Sequence, residues 1–320
     1  MKLDHFAGVC YKPLGDKGED AFAYDLSRSD VNALAVFDGC GGAGAWKYPE
    51  FKNATGAFVA AQKMSESFSD WAAELKPEDI RNREHLETEF YGITLKTLQA
   101  LKRSCAPMGV AGSLVKSFPC TVSAAFVTPD AEDSAILTIL NAGDSRVYIL
   151  VPERGLIQIT KDDSRGGPDP LESLRDNAPI SNLLNADKPF KIRTRQIRIY
   201  MPCAVICATD GVFGYVRSPM DFEYLLLKAV DDAGTAAELE EKLEDTVKKI
   251  TGDDSTCLMA FYGWGSWDDI KKSLKGRLDE VSGMVREMDR DWDSGNGEGT
   301  VRRIWDEYKK TTVYDELKTN

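Results

Sequence analysis

Ala35-Val36-Phe37-Asp38-Gly39 and Ile206-Cys207-Ala208-Thr209-Asp210-Gly211 share one construction, an apolar strand-forming run that closes on an aspartate followed by glycine. A third aspartate, Asp253, lies in Gly252-Asp253-Asp254-Ser255-Thr256, just ahead of the apolar run 257–262. A fourth, Asp20, lies in Gly18-Glu19-Asp20-Ala21, at the start of the run 21–24. A rigid strand end fixes a carboxylate in space, and an adjacent glycine lets an ion or phosphate approach the backbone. Carboxylates that converge from separate strands repel one another, and a divalent cation removes that cost. Ligation by oxygen alone selects Mg2+, Mn2+ or Ca2+ over zinc. Two such ions sharing a carboxylate activate a bridging water and neutralise a phosphoryl group, which is hydrolysis without a protein nucleophile. A lone Asp-Gly is more often a simple turn, so the reading rests on the set.

Outward from these points, residues 6–11, 21–24 and 33–37 read as strands rich in Val, Phe and Tyr. Two long helices, 53–75 and 78–103, are expected next. The second carries Leu86, Phe90, Ile93 and Leu101 on one face, with Thr97 as the polar gap. Strands resume at 121–127, 135–140, 146–151, 156–160, 193–200, 204–209 and 256–262, with a helical stretch at 221–250. Two strand blocks with helix pairs between them predict an α+β fold of two packed sheets with helices outside, not a doubly wound parallel sheet. Beyond residue 263, Ile270, Leu274, Leu278, Val281, Val285 and Met288 form one amphipathic face. Residues 293–299 read as a flexible linker by composition, and 301–317 as a second helix with Ile304, Trp305 and Tyr308 on one side. The expected division is a main domain over 1–263 and a helical extension over 264–320.

Composition narrows the function classes. The 320 residues carry a net charge of −12 with no basic tract, which argues against nucleic-acid binding. No apolar run spans a bilayer and the N-terminus lacks a secretory pattern, so a cytoplasmic location and no membrane partner are expected. The seven cysteines are scattered without a Cys-x-x-Cys pair, and are expected as buried reduced thiols. Two histidines leave little for histidine-rich metal sites or serine triads.

The order of the acidic motifs resembles the PPM (type 2C) family of metal-dependent protein phosphatases over roughly residues 6–263. Gly18-Glu19-Asp20-Ala21 is similar to the family's first acidic motif, and Val36-Phe37-Asp38-Gly39-Cys40-Gly41-Gly42 to its Asp-Gly-His-Gly-Gly motif. Asn141-Ala142-Gly143-Asp144-Ser145-Arg146 matches the Gly-Asp-Ser-Arg segment, and Ile159-Thr160-Lys161-Asp162-Asp163-Ser164 resembles Leu-Thr-x-Asp-His-Ser. Ala208-Thr209-Asp210-Gly211 and Gly252-Asp253-Asp254-Ser255-Thr256 resemble the last two. The resemblance implies two antiparallel sheets flanked by helix pairs, and phosphoserine/phosphothreonine hydrolysis by a metal-activated bridging water on phosphorylated protein substrates. It implies two Mn2+ or Mg2+ ions: Asp38 bridging them with the Gly39 carbonyl on one, Asp210 and Asp253 completing the other, and Glu19 and Asp20 ligating directly or through water. Asp144 corresponds to a residue linked to a third ion, and stands equally as a turn carboxylate. The segment 164–191 would be a flap beside the cleft.

Three departures accompany the resemblance. Cys40 replaces the histidine proposed as general acid, and a thiol with a reference pKa of about 8.5 is a poor donor near neutrality. The usual phosphate-gripping arginine falls on Gly15, leaving Lys12 or Lys17 as substrate-binding point charges or as solvated surface residues. Trp46 and Phe51 either shape the substrate rim or pack on the neighbouring helix. The rival readings are a weak or inactive phosphatase fold serving as a binding module, and a metal phosphoesterase acting on nucleotides or nucleic acid. Trp292, Trp305 and Tyr308 in the extension must be buried, against the main domain or against a partner such as a cognate protein kinase.

Overall fold

The apolar runs pair as two five-stranded antiparallel sheets in a computed structural model that describes residues 2–106, 115–163, 169–175 and 179–312. In chain order the strands are β1 (Leu3–Tyr11), β2 (Ala21–Asp25), β3 (Asn32–Phe37), β4 (Lys47–Tyr48), β5 (Ala54–Thr55) and β6 (Val122–Ala131). They continue as β7 (Ser134–Ala142), β8 (Arg146–Val151), β9 (Gly155–Gln158), β10 (Arg193–Tyr200), β11 (Cys203–Ala208) and β12 (Ser255–Tyr262). One sheet runs β1-β12-β11-β8-β9, the other β10-β7-β6-β3-β2, and β4-β5 form a small ribbon. β12 is held on both sides, with Met259 opposite Ala7 of β1 and Ile206 of β11.

Both faces of the central strands are buried, which explains why they read as continuous apolar runs rather than alternating ones. In β3, Leu34 and Val36 enter the layer between the sheets, while Ala33, Ala35 and Phe37 face the helices outside. In β12, Leu258, Ala260 and Tyr262 point inward, and Cys257, Met259 and Phe261 outward. The result is the expected helix-sheet-sheet-helix sandwich. The short helix α1 (Gly41–Gly44) follows β3, and α2 (Gly56–Glu74), α3 (Pro77–Arg81) and α4 (Arg83–Ser104) cover that sheet.

The helix expected over 78–103 is broken at Asn82. Its Oδ1 accepts from His85 N at 3.2 Å and caps α4, and the local hydrogen bond outweighs a periodicity that runs on across the break. The buried face of α4 is Leu86, Phe90, Thr94, Leu98 and Leu101, whereas Thr97 bonds Ser67 at 3.0 Å. After α5 (Pro170–Arg175) and α6 (Asp210–Phe213), the stretch 221–250 likewise divides, into α7 (Pro219–Asp232) and α8 (Ala236–Ile250). There Thr235 caps the second helix by accepting from Glu238 N at 3.2 Å.

The C-terminal helices α9 (Trp267–Asp293) and α10 (Gly297–Thr312) lie on the other sheet's outer layer. Ile270, Leu274, Leu278 and Val281 join the cluster built on α7, α8 and that sheet, and Met288 meets Trp305 and Tyr308. The flexible linker expected at 293–299 is instead the end of α9, a tight turn over 294–296 and the first turn of α10. Gly297 opens α10 so close to Trp292 that an added Cβ would lie 2.3 Å from its ring, and Thr300 Oγ1 donates to Asp291 at 2.7 Å. Trp305 and Tyr308 are buried as expected; Trp292 is not, at 48% exposed beneath the Arg217 guanidinium. Trp46 too is exposed, while Phe51 packs edge-on against Phe118.

Below α10 a buried polar cluster joins three helices to β9. Arg277 of α9 donates twice to Glu223 of α7, at 2.7 and 2.8 Å, Leu156 N donates to the same carboxylate at 3.1 Å, and Tyr308 completes it. Substitution Arg277→Leu should leave Glu223 charged and uncompensated, costing about 3–5 kcal/mol. Equilibrium denaturation should give that loss, and the double variant Glu223→Leu with Arg277→Leu should recover much of it.

Candidate metal centre

Each acidic residue singled out in the sequence sits where a strand ends. Asp38 follows β3, Asp144 lies in the turn between β7 and β8, Asp210 opens α6 just after β11, Asp253 precedes β12, and Glu19 and Asp20 precede β2. Asp38, Asp144 and Asp210 each offer a ligand atom, and these atoms lie within 4.8 Å of one another. Thr121 ties two of those positions together: its amide donates to the Asp38 carbonyl at 2.8 Å, and its hydroxyl bonds Ser145 at 2.7 Å.

Asp253 lies outside this trio. Tyr215 donates to its Oδ2 at 3.2 Å and the Asp254 amide to its Oδ1 at 2.9 Å, yet its charge acts on Asp210 and Asp38. Asp20 is buried, with one oxygen held by the hydroxyls of Thr209 and Thr256 at 2.8 and 2.7 Å and the other without a partner. Glu19 is gripped by the Thr55 hydroxyl, and its amide donates to Asp254. These supports escape a motif reading. Thr209, Thr256 and Asp254 adjoin the motif aspartates in sequence, but nothing in the sequence shows that they serve a residue near position 20.

The glycines beside the aspartates have a packing role as well. A Cβ on Gly211 would fall 1.8 Å from the Asp254 carbonyl oxygen, and one on Gly39 would fall 2.7 Å from that of Ala57 in α2. Glycine therefore lets separate backbones close around the carboxylates.

Electrostatically the trio is strained. Burial first, then the neighbouring aspartates, push Asp38 and Asp144 well above the usual carboxylate range. Burial likewise lifts Asp210 to about 6 and Asp20 to about 7. The guanidinium of Arg146 relieves Asp144 and Asp210 only in part, because it is committed to Asp162 by bonds of 3.0 and 2.6 Å. An unpartnered buried oxygen on Asp144, another on Asp20 and an all-oxygen donor set fit a hard divalent cation.

Burial, then Asp38 and Asp144, hold the Cys40 thiol far above its ordinary pKa, which disfavours a thiolate nucleophile. Lys12 lines a groove with Tyr11, Phe58 and Gln62, its Nζ donating to the Gly18 carbonyl at 3.2 Å; Lys17 is exposed. The expected flap falls partly outside the described residues, at 164–168 and 176–178. Its base is anchored by Asp163, which accepts from Gly143 N at 3.1 Å and Asn182 at 2.6 Å and pairs with Arg193. The described cysteines are free, and no described helix is long and apolar enough to cross a membrane.

A family model described as protein phosphatase 2C matches residues 14–248. Among solved structures, the serine/threonine phosphatase Stp1 of Staphylococcus aureus aligns with a TM-score of 0.61 at 20% identity, covering 82% of this chain and 95% of that one. The phosphatase PstP of Mycobacterium tuberculosis aligns with a TM-score of 0.56 at 17% identity, over 81% of this chain and 98% of its own. The PstP catalytic domain solved with two manganese ions gives 0.53 at 17%, over 80% and 96%. At these identities the likeness is one of fold. No curated protein matches the chain in sequence.

The raised pKa values set the sign of a pH effect on the metal-free protein. Between the ordinary carboxylate range near 3.8 and the values near 6 and 7, the folded state holds more protons than the unfolded one. Stability therefore falls as pH rises through that window. Melting in a chelator should show a higher Tm at pH 5.5 than at 7.5, and Asp38→Asn should shrink the difference while raising Tm at pH 7.5. Added Mn2+ should raise the Tm of the wild-type chain at pH 7.5 and leave Asp38→Asn almost unmoved.

Proposed function

Because the chain belongs to the protein phosphatase 2C family, we propose that it is a metal-dependent phosphatase that removes phosphate from serine and threonine of phosphorylated proteins. The observation that carries this reading is the trio Asp38, Asp144 and Asp210, drawn together from three strand ends and shifted toward protonation by burial and mutual charge. Asp38, Asp210 and Asp253 are assigned as the principal ligands, with the Gly39 carbonyl, Glu19 and Asp20 beside them. The closeness of Asp144 to Asp38 and Asp210 favours a ligand over a turn carboxylate. Bound at these groups, Mn2+ or Mg2+ would neutralise a phosphoryl group and activate water for its hydrolysis.

The chain's own residues prepare that chemistry. Thr209 and Thr256 aim Asp20, and Thr55 with Asp254 fixes Glu19, so the donor set is organised before any ligand arrives. Lys12 supplies a point charge at the groove, a role that the exposed Lys17 fits less well. We read residues 1–263 as the phosphatase domain and 264–320 as its extension, in a cytoplasmic protein acting opposite a protein kinase.

Cys40 favours a second reading, a weak or inactive phosphatase fold that binds without turning over, because a thiol held protonated is a poor acid for the leaving alkoxide. One assay separates the two. With Mn2+ the wild-type chain should release phosphate from a phosphothreonine peptide, chelation should abolish release, and Asp38→Asn or Asp210→Asn should lower it by at least about 100-fold. Cys40→His should accelerate hydrolysis of the peptide, a poor leaving group, by about 100-fold or more, and alter an aryl phosphate far less. Metal binding without release from varied phosphopeptides, even with Cys40→His, would instead support the binding module.

A further inference from the structure

The family match ends at residue 248, before α9 and α10, yet α10 holds α5, a helix within the segment expected as the flap. Trp305 Nε1 donates to both oxygens of Asp169, at 2.9 and 3.1 Å. The same carboxylate caps α5 by accepting from Leu171 N at 2.9 Å and Glu172 N at 3.4 Å. Lys309 stands 3.6 Å from Asp169, and Arg302 pairs with Glu172. Leu171 is fully buried among Met220 of α7, Met288 of α9 and Val301, Ile304 and Trp305 of α10. A helix of six residues cannot hold its own conformation in water, so α5 takes its order from these contacts.

One turn further along the same face, α5 approaches the framework behind the metal centre. Leu174 borders one small cavity with Phe213, Arg146, Trp305 and Tyr308. Phe213 closes α6, the helix that Asp210 opens, and its ring lies 4.1 Å beneath the Arg146 guanidinium. Arg146 in turn grips Asp162, where the chain leaves for the expected flap.

We propose that α10 is an intramolecular latch that positions α5 beside the cleft, with Trp305 as the positioning residue and Asp169 as its keeper. What the latch serves, docking of a phosphorylated peptide, rests on the phosphatase reading; the latch itself does not. It assigns the C-terminal extension a task in substrate binding that the metal ligands do not perform.

The test uses the full chain and two variants. Trp305→Phe keeps an aromatic ring in the buried cluster but removes the indole N–H, and Arg302→Ala removes the second tie. Hydrogen exchange should show the amides of 171–175 exchanging at least about ten-fold faster in Trp305→Phe, as loss of a bond to a charged acceptor implies, with β11 and β12 amides unchanged. Arg302→Ala should give the same pattern more weakly. KM for a phosphothreonine peptide should rise by roughly three-fold or more while kcat and the KM for a small aryl phosphate hold. Unchanged exchange over 171–175 in both variants overturns the latch, as does acceleration spread equally over β11 and β12. Faster α5 exchange with no change in peptide KM overturns its role in docking. Should the wild-type chain release no phosphate at all, the phosphatase reading fails, and the exchange measurement alone decides the latch.

Discussion

Several negative charges are held in one buried place, and most of the structure can be understood as the means of holding them there. Left alone, Asp38, Asp144 and Asp210 would separate or take up protons, because each raises the energy of the others' charged forms. They stay together because each is fixed to a different rigid strand end, and those ends cannot move apart without opening the layer between the sheets. Leu34 and Val36 of β3, Val205 and Cys207 of β11, and Leu258 and Ala260 of β12 fill that layer. Burying one such aliphatic side chain contributes roughly 1.5–3 kcal/mol, so a packed core of this kind can bear the local cost of clustered carboxylates.

The same division of labour extends outward. α2 brings Thr55 to Glu19 and the Ala57 carbonyl against Gly39. The far layer, with α7, α9 and α10, supports α6 and α5 from behind through Glu223, Arg277, Tyr308 and Trp305. The C-terminal helices are thus packed against α5, α7 and β9, although the motif carboxylates lie ahead of them in the chain.

Much of this was legible in the sequence, and the exceptions have physical causes. The central strands could be read because two-sided burial leaves unbroken apolar runs, edge strands such as β2 and β10 from their aromatic and β-branched residues, and the motif aspartates because they lie at strand ends. The breaks at Asn82 and Thr235 were hidden, since a side-chain cap is a local hydrogen bond that apolar periodicity does not register. Residues 293–299 looked like a linker because glycine suits both flexible chain and close packing, and only the proximity of Trp292 to Gly297 distinguishes them. Thr209 and Thr256, which hold Asp20 from across about two hundred residues, carry no pattern of their own. The tie between Trp305 and Asp169 is equally silent, since it joins two elements far apart in the chain.

The claim that the carboxylates exist to hold cations is tested most directly by titrating the metal-free chain with Mn2+ and following the free ion by electron paramagnetic resonance. The account predicts at least two ions taken up per chain at neutral pH, competed by Mg2+, and lost when Asp38 and Asp210 are both replaced by asparagine. Uptake that is absent at millimolar Mn2+, or that survives the double replacement undiminished, would contradict it.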